Sequence, residues 1–384
     1  MSDRDNPLLS VIIPTRDRAE TLPYTLRTAL NQRSRRLEVI VSDNFSQDNT
    51  AAVVRSFSDP RLRLINPGRR LSMSDHWDYA LLQAAGDYVL FIGDDDGIVP
   101  GALDKLEASI LATHRLVYSW PRPIYRWPID NDSAHTVFLP PVGQASEINL
   151  ENIAKFAISM GGWRWARTPS MYHSAVAERI PATIREQTGR VFHSTQPDVF
   201  MAMAVPVFAK MSAELDYYVS VLGQSQKSNS GTSGRPNRAA YLEKFLEEYG
   251  GYKIHPTLFP GIPIALNLTP DSLLVAMEKF AGFYAGMKFN YDAMWAQILR
   301  ENSGAYKYPL TSMDVISKRR QIRSYHPFNV RRFLLYSAFQ QSLELRRRLR
   351  TRMSTSRRLA KGPPDNILDF VARFSDPVQP AWPG

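Results

Sequence analysis

The chain has no cysteine among its 384 residues, which excludes disulfides and thiolate metal sites while leaving the redox compartment open. Long apolar runs are missing as well. The nearest, residues 199–209, is short and interrupted by Pro206, well below the roughly 20 residues a spanning helix needs. The first residues, MSDRDNPLLSVIIP, lack a secretory pattern and run directly into a strand-like stretch. These absences lead to the expectation of a cytoplasmic protein. The length allows a sizeable core and favours two domains over one.

Acidic residues are scarce in one segment. From Ser317 to Lys361, fourteen Lys or Arg stand against a single acid, Glu344, so this segment carries +13 while the rest of the chain sums to −3. Phe333, Leu334, Leu335, Tyr336, Phe339 and Leu343 fall roughly on one side of a helix here, with arginines before and after. That pattern suits an anionic membrane surface, reached peripherally from the inner face. A helix docked on its own core, or on a second copy in a homo-oligomer, is the alternative. Recognisable RNA motifs are absent, and no nucleic-acid partner is expected.

What is present is alternation. Leu8–Pro14 reads as a buried strand and Ala19–Gln32 as a helix. Leu37–Val41 is a second strand, and Ser46 is a good N-cap for the helix that follows. Leu62–Ile65, a helix near 74–85 and the strand from Tyr88 complete the series. Strands alternating with helices predict an α/β fold, a Rossmann-like doubly wound and mostly parallel sheet. Ligands bind such sheets at the carboxyl ends of the strands. That places Thr15, Asp43 and the cluster Asp94, Asp95 and Asp96 along one edge.

The cluster sits in YVLFIGDDDGIVP. Adjacent carboxylates at the mouth of a buried strand repel one another and lose hydration, a cost that a hard cation offsets. Mg²⁺ and Mn²⁺ bind through one or two carboxylates plus substrate phosphates. An acidic turn in water, closed by Gly97 and Pro100, is the other reading of the same residues.

Three strings in order carry a resemblance: PTRDR after the first strand, VSDNFSQDNT after the second, and AAGDYVLFIGDDDGIVPGAL. Together they resemble the N-terminal half of a family 2 glycosyltransferase of GT-A fold, over roughly the first hundred residues and more weakly to about Gly234. The resemblance implies that Pro14, Thr15 and Arg18 line a nucleotide pocket. It implies that Asp43 accepts a hydrogen bond from the base, and that Asp95 with Asp94 holds the metal on the diphosphate. A carboxylate only accepts, so Asp43 suits uracil, thymine or guanine and disfavours cytosine. An Asx-turn before the Ser46 helix is the structural alternative for the same residue. Gly93 stands where the family often has Asp, which opens the register Asp94 with Asp96. Asn44 and Phe45 replace the common Asp and Gly, and Arg69 or Arg70 is the candidate cation for the diphosphate.

Further along, Trp163, Arg164 and Trp165 could offer an aromatic platform for a sugar and a cation for phosphate, although large aromatics more often serve a core. In GRVFHSTQPDVFMAMAV, Pro197 suits a first helical turn. Asp198 there either complements the helix dipole or, as the resemblance implies, supplies the catalytic base. His193 is an alternative base or donor contact. The loop GQSQKSNSGTSGRP with Lys227 could wrap an anion or act as a linker. The domain boundary is placed near Gly234, giving a catalytic domain over 1–234 and a mainly helical region over 235–384.

Taken together, the expectation is an inverting transferase moving a sugar from a nucleoside diphosphate sugar to a hydroxyl acceptor such as a lipid-linked glycan, with Mg²⁺ or Mn²⁺ as cofactor. A sugar-phosphate nucleotidyltransferase would be expected to carry a Gly-rich loop after the first strand, and PTRDR contains no glycine. A non-catalytic sugar-binding or membrane scaffold of the same fold is the other alternative.

Overall fold

Side chains along a strand point alternately to opposite faces, and the first strands use both faces as core. Ile12, Ile40 and Phe91 enter one cluster. Their neighbours Val11, Ile13, Val39, Val41 and Leu90 enter the other. A strand apolar on both faces must be covered on both, which is why helices follow each strand.

The computed structural model describes residues 8–127, 137–162, 168–225, 244–262, 266–302, 310–342, 345 and 366–374. β1 (Leu9–Thr15), α1 (Leu22–Leu30), β2 (Leu37–Asp43), α2 (Thr50–Arg55), β3 (Leu62–Ile65), α3 (Met73–Leu81) and β4 (Tyr88–Phe91) alternate as the sequence predicts. Next come β5 (Gly97–Ile98), α4 (Ala102–Thr113), β6 (Val117–Ser119), β7 (Ile124–Arg126), β8 (Val137–Phe138), β9 (Ser146–Asn149) and α5 (Leu150–Ser159). They are followed by β10 (Ala175–Ala177), α6 (Arg179–Thr188), α7 (Pro197–Phe208), β11 (Met211–Glu214) and β12 (Ser220–Gln224). The described residues beyond 243 hold the helices α8 (244–247), α9 (Leu268–Lys279), α10 (Tyr291–Asn302), α11 (Ser312–Ser317), α12 (Arg319–Ile322), α13 (330–342) and α14 (Ile367–Ala372).

The main sheet has eight strands in the order β3-β2-β1-β4-β10-β6-β11-β9. Its first four strands are parallel, whereas β10 runs antiparallel to β4, and β9 to β11. The fold is therefore α/β with a mostly parallel, mixed sheet. A smaller sheet, β5-β12-β7-β8, lies beside the carboxyl end of β4.

Three readings differ from expectation. Ser46 does not cap α2: the helix starts at Thr50 behind Asn49, and the Ser46 hydroxyl accepts the Asp17 N–H at 2.8 Å instead. The stretch 215–222 reads as a strand by its apolar character, yet the strand starts only at Ser220 and joins the smaller sheet, while the main-sheet strand β11 ends just before the stretch, at Glu214. The pattern of 148–160 reads as a helix, and α5 begins two residues into it, because β9 runs to Asn149, whose side chain then caps α5 by accepting the Asn152 N–H at 2.9 Å.

The boundary expected near Gly234 falls outside the described residues. Helices beyond it share a core with the sheet. Leu258, Phe259, Leu273, Trp295 and Phe333 join the cluster of Ile12, Phe91 and Phe200. On the opposite face, Ile367, Phe370 and Val371 of α14 join Leu9, Val11 and Leu22. The basic segment is described to residue 342 and at Leu345. Its apolar residues divide: Phe333 is buried, while Leu334, Leu335 and Phe339 are exposed. Among the described residues no helix is long and apolar enough to cross a membrane.

Candidate active site at the carboxyl ends of the parallel strands

The register of β1 and β2 sets Pro14 opposite Ser42 and Thr15 opposite Asp43. Asp43 is buried. Its Oδ1 accepts the Ser46 N–H at 3.0 Å, the Asx-turn, while the nearest donor to Oδ2 is Asn66 Nδ2 at 3.5 Å. One oxygen thus makes the turn and the other keeps acceptor capacity, so the turn does not use up Asp43. Phe45 takes a left-handed backbone, φ 60, which costs a non-glycine residue about 1–2 kcal/mol. That conformation gives a physical reason for the family's usual glycine at this place.

The acidic loop follows β4. Arg18 lies on it from the β1 side, its Nε 3.8 Å from Asp94 Oδ1 and its Nη1 donating to Ser225 Oγ at 2.9 Å. The Thr15 hydroxyl is buried beside Asp94 without a well-formed hydrogen bond. Burial raises the Asp94 carboxyl above the ordinary range, with Arg18 acting against it. Asp95 Oδ2 accepts the Ser225 N–H at 2.9 Å, and its carbonyl accepts Trp127 Nε1 at 2.8 Å. Burial first, then the charges of Asp96 and Asp94, push the Asp95 carboxyl up to about 7.

Asp96 behaves differently. Oδ1 accepts the Gly223 N–H at 2.6 Å, and Oδ2 accepts the Tyr172 hydroxyl at 3.0 Å. The Gly93 N–H also donates to Oδ2, and His173 Nε2 lies 2.9 Å from it. Burial favours the protonated form of Asp96, but His173 and these backbone donors outweigh it and hold the carboxyl low. Burial lowers the His173 pKa, against the Asp96 charge that raises it. Its Nδ1 meets Ser220 Oγ at 2.7 Å, which in turn accepts Trp120 Nε1 at 2.8 Å. A proton on Nε2, facing the Asp96 carboxylate, is the tautomer of the neutral ring in which Nδ1 accepts from the Ser220 hydroxyl. With four donors around it, Asp96 anchors the loop, and Asp94 and Asp95 are the carboxylates with capacity to spare.

Two glycines make this packing feasible. A Cβ at Gly93 would stand 2.9 Å from Asp96 Oδ2, so the departure from the family's Asp is what lets Asp96 fold back. A Cβ at Gly223 would stand 1.8 Å from the Asp95 carbonyl, so only glycine lets β12 pass there.

Asp198 opens α7 with Pro197 in the first turn. Its Oδ1 accepts the Val199 N–H at 2.9 Å. Burial pushes its carboxyl up to about 6, against backbone N–H groups and the Arg122 charge. Arg122 also feels Tyr172 and Asp96, and burial lowers its pKa. Tyr172 feels Asp96, Asp95 and Asp198 on top of the burial that raises it well above the ordinary phenol value. Through Arg122 and Tyr172 the acidic loop and Asp198 share one electrostatic environment.

Sequence reasoning missed Arg122, Tyr172, His173 and Ser225. His173 and its neighbour Met171 adopt left-handed backbone, φ 54 and φ 65, which nothing local in PSMYHSAV announces. Other candidates are placed elsewhere. His193 Nε2 is taken up by Thr188 Oγ1 at 2.8 Å and the Arg190 carbonyl at 3.0 Å, and burial lowers its pKa to about 4. Arg69 is exposed. Arg70 and Arg16 both pair with Glu248 from the turn after α8, at 2.8 Å and 2.9 Å. Trp163, Arg164, Trp165 and Lys227 lie outside the described residues.

Among the described residues no three ligating side chains converge as a metal cluster. Asp94 and Asp95 still fit a hard cation: two buried carboxylates whose charged forms are unfavourable without a counter-ion, beside a hydroxyl lacking a well-formed bond. Such a site would draw its remaining oxygens from substrate phosphates and water, the usual manner of Mg²⁺.

Residues 10–168 match the family described as glycosyl transferase family 2. The chain is 37% identical over 103 residues to the GalNAc(5)-diNAcBac-PP-undecaprenol beta-1,3-glucosyltransferase of Campylobacter jejuni, covering 26% of this chain and 33% of that protein. It is 26% identical over 116 residues to the UDP-Glc:alpha-D-GlcNAc-diphosphoundecaprenol beta-1,3-glucosyltransferase WfgD of Escherichia coli, covering 30% of this chain and 46% of the relative. The matches thus span less than half the length of these curated relatives. The crystal structure of S. aureus TarS 1–349 in complex with UDP-GlcNAc superposes with a TM-score of 0.48 and 17% identity, covering 87% of this chain and 92% of that one.

Proposed function

We propose, from the premise that the chain belongs to the family 2 glycosyltransferases through residues 10–168, that it moves a sugar from a nucleoside diphosphate sugar to a hydroxyl acceptor with inversion. One observation carries the reading: Asp95 and Asp96 at the end of β4 share their surroundings, through Tyr172 and Arg122, with Asp198, a carboxylate whose pKa burial has raised. Pro14, Thr15 and Arg18 line the donor side, and the spare oxygen of Asp43 accepts the imino N–H of a uracil, thymine or guanine base. Bound between Asp94 and Asp95, Mg²⁺ or Mn²⁺ would neutralise charge on the departing diphosphate.

The rest of the work falls to the chain. Asp96, held by His173, Tyr172, Gly93 and Gly223, fixes the loop so that its two neighbours face the donor. Asp198 accepts the acceptor's hydroxyl proton as the oxygen attacks the anomeric carbon from the face opposite the leaving group. A single displacement through an oxocarbenium-like state needs no covalent intermediate. The buried guanidinium of Arg122 balances Asp198 before that proton arrives. The named acceptors of two relatives carry a polyprenyl diphosphate, which supports a lipid-linked glycan as acceptor.

The test is a donor screen by thermal shift with and without Mn²⁺, followed by transfer assays. A cation-dependent rise in melting temperature with one nucleotide sugar is expected. Asp95→Ala should abolish that rise, and Asp198→Asn should keep it while losing transfer. Transfer unaffected by either change would overturn the assignment.

A further inference from the structure

The outward face of α13 is the reverse of what a soluble helix presents. Leu334, Leu335, Ala338 and Phe339 recur at helical spacing along one stripe. That stripe faces water: Leu334 is 45% exposed, Leu335 71% and Phe339 47%, with Leu345 at 61% further along the chain. The opposite face holds the helix in place. Phe333 is fully buried, Gln340 is buried against the Ala293 carbonyl, and the Asn329 N–H donates to Asp292 Oδ1 at 2.7 Å.

Charge surrounds the stripe with one sign. Between residues 317 and 342 there are six Lys or Arg and no acid. Arg319, Arg320, Arg323, Arg331 and Arg332 are exposed. We infer that α13 is a membrane-docking element: Leu334, Leu335 and Phe339 enter the headgroup–acyl boundary of an anionic bilayer, and the flanking arginines take its lipid phosphates. An apolar stripe with basic flanks on an anchored helix fits that surface. A second copy meeting this face in two-fold fashion would set the same arginines against each other, and this stretch carries no acid to pair them.

The experiment is flotation of the full chain with vesicles of phosphatidylcholine alone and of phosphatidylcholine with about a third phosphatidylglycerol. Binding to the anionic vesicles, weakened by salt, is expected. The double change Leu335→Ser with Phe339→Ser should weaken it by about tenfold or more, with only a small fall in melting temperature, because Leu335 is mostly and Phe339 about half exposed. Arg331→Gln with Arg332→Gln should weaken it several-fold and flatten its salt dependence. No flotation of the wild-type chain, or flotation indifferent to both pairs of changes, overturns the inference. So does a wild-type dimer that the apolar pair of changes turns into a monomer without altering flotation, which would assign the stripe to a second copy. The readout is binding rather than transfer, so either outcome leaves the sugar-transfer reading standing or falling by its own test.

Discussion

In the proposed mechanism Asp198 is the group whose charge state the transfer turns on. Its carboxyl titrates near 6 rather than at the ordinary value because it is buried. A base works only when ionised, so transfer is fully available above about pH 7 and declines as pH falls through 6. We predict an acid limb in kcat at saturating donor that approaches tenfold loss per pH unit below about 6. In Asp198→Asn that limb should vanish, with kcat lower by about a hundredfold or more. An acid limb of the same midpoint in Asp198→Asn would assign it to another group. Asp198 and the acidic triplet were legible because their signals are local: a carboxylate beside a first-turn proline, and three aspartates after a strand. His173 and Tyr172 were not, since their roles rest on contacts with Asp96 across 77 and 76 positions of chain.

At the scale of the element, β12 determines the shape of the acidic loop. Gly223 donates to Asp96, Ser225 donates to Asp95, and Arg18 reaches Ser225. Gly223→Ala would drive its Cβ into the Asp95 carbonyl, so β12 and the loop must separate. The expected result is a loss of about 1–3 kcal/mol in stability and a larger loss of cation-dependent donor binding. Chemical denaturation and donor titration would check both, and wild-type donor affinity in this variant would show that β12 does not set the loop. The parallel strands were readable from sequence because a buried strand is a continuous apolar run. The break between β11 and β12 was not. Their residues have one character, and the change of sheet depends on what lies next to them.

At the scale of the molecule, α14 returns from the far end of the chain to the back of the acidic loop. Phe370 stacks on Tyr125 with ring centroids 5.6 Å apart, and Val371 and Ile367 close over Gly97, the residue after Asp96. Phe370→Ala is expected to cost about 3–5 kcal/mol and to lower the single unfolding transition as a whole. A separate early transition, leaving the donor site folded, would mean that α14 is an appendage. A boundary near residue 234 is a natural reading of composition, because Ser, Gly and Asn concentrate there. Composition carries no record of which core the later helices complete, and they complete both.

The bonds from Gly223 and Ser225 to Asp96 and Asp95 bridge 127 and 130 positions of chain. Closing so wide a loop costs entropy before any contact rewards it. During synthesis the three aspartates therefore emerge long before their donors exist, and for that interval they are hydrated, ordinary acids. The raised pKa values of Asp94 and Asp95, and with them the fit to a cation, arise only when β12 docks. Order of appearance on the ribosome thus keeps the proposed donor site silent until β12 is made.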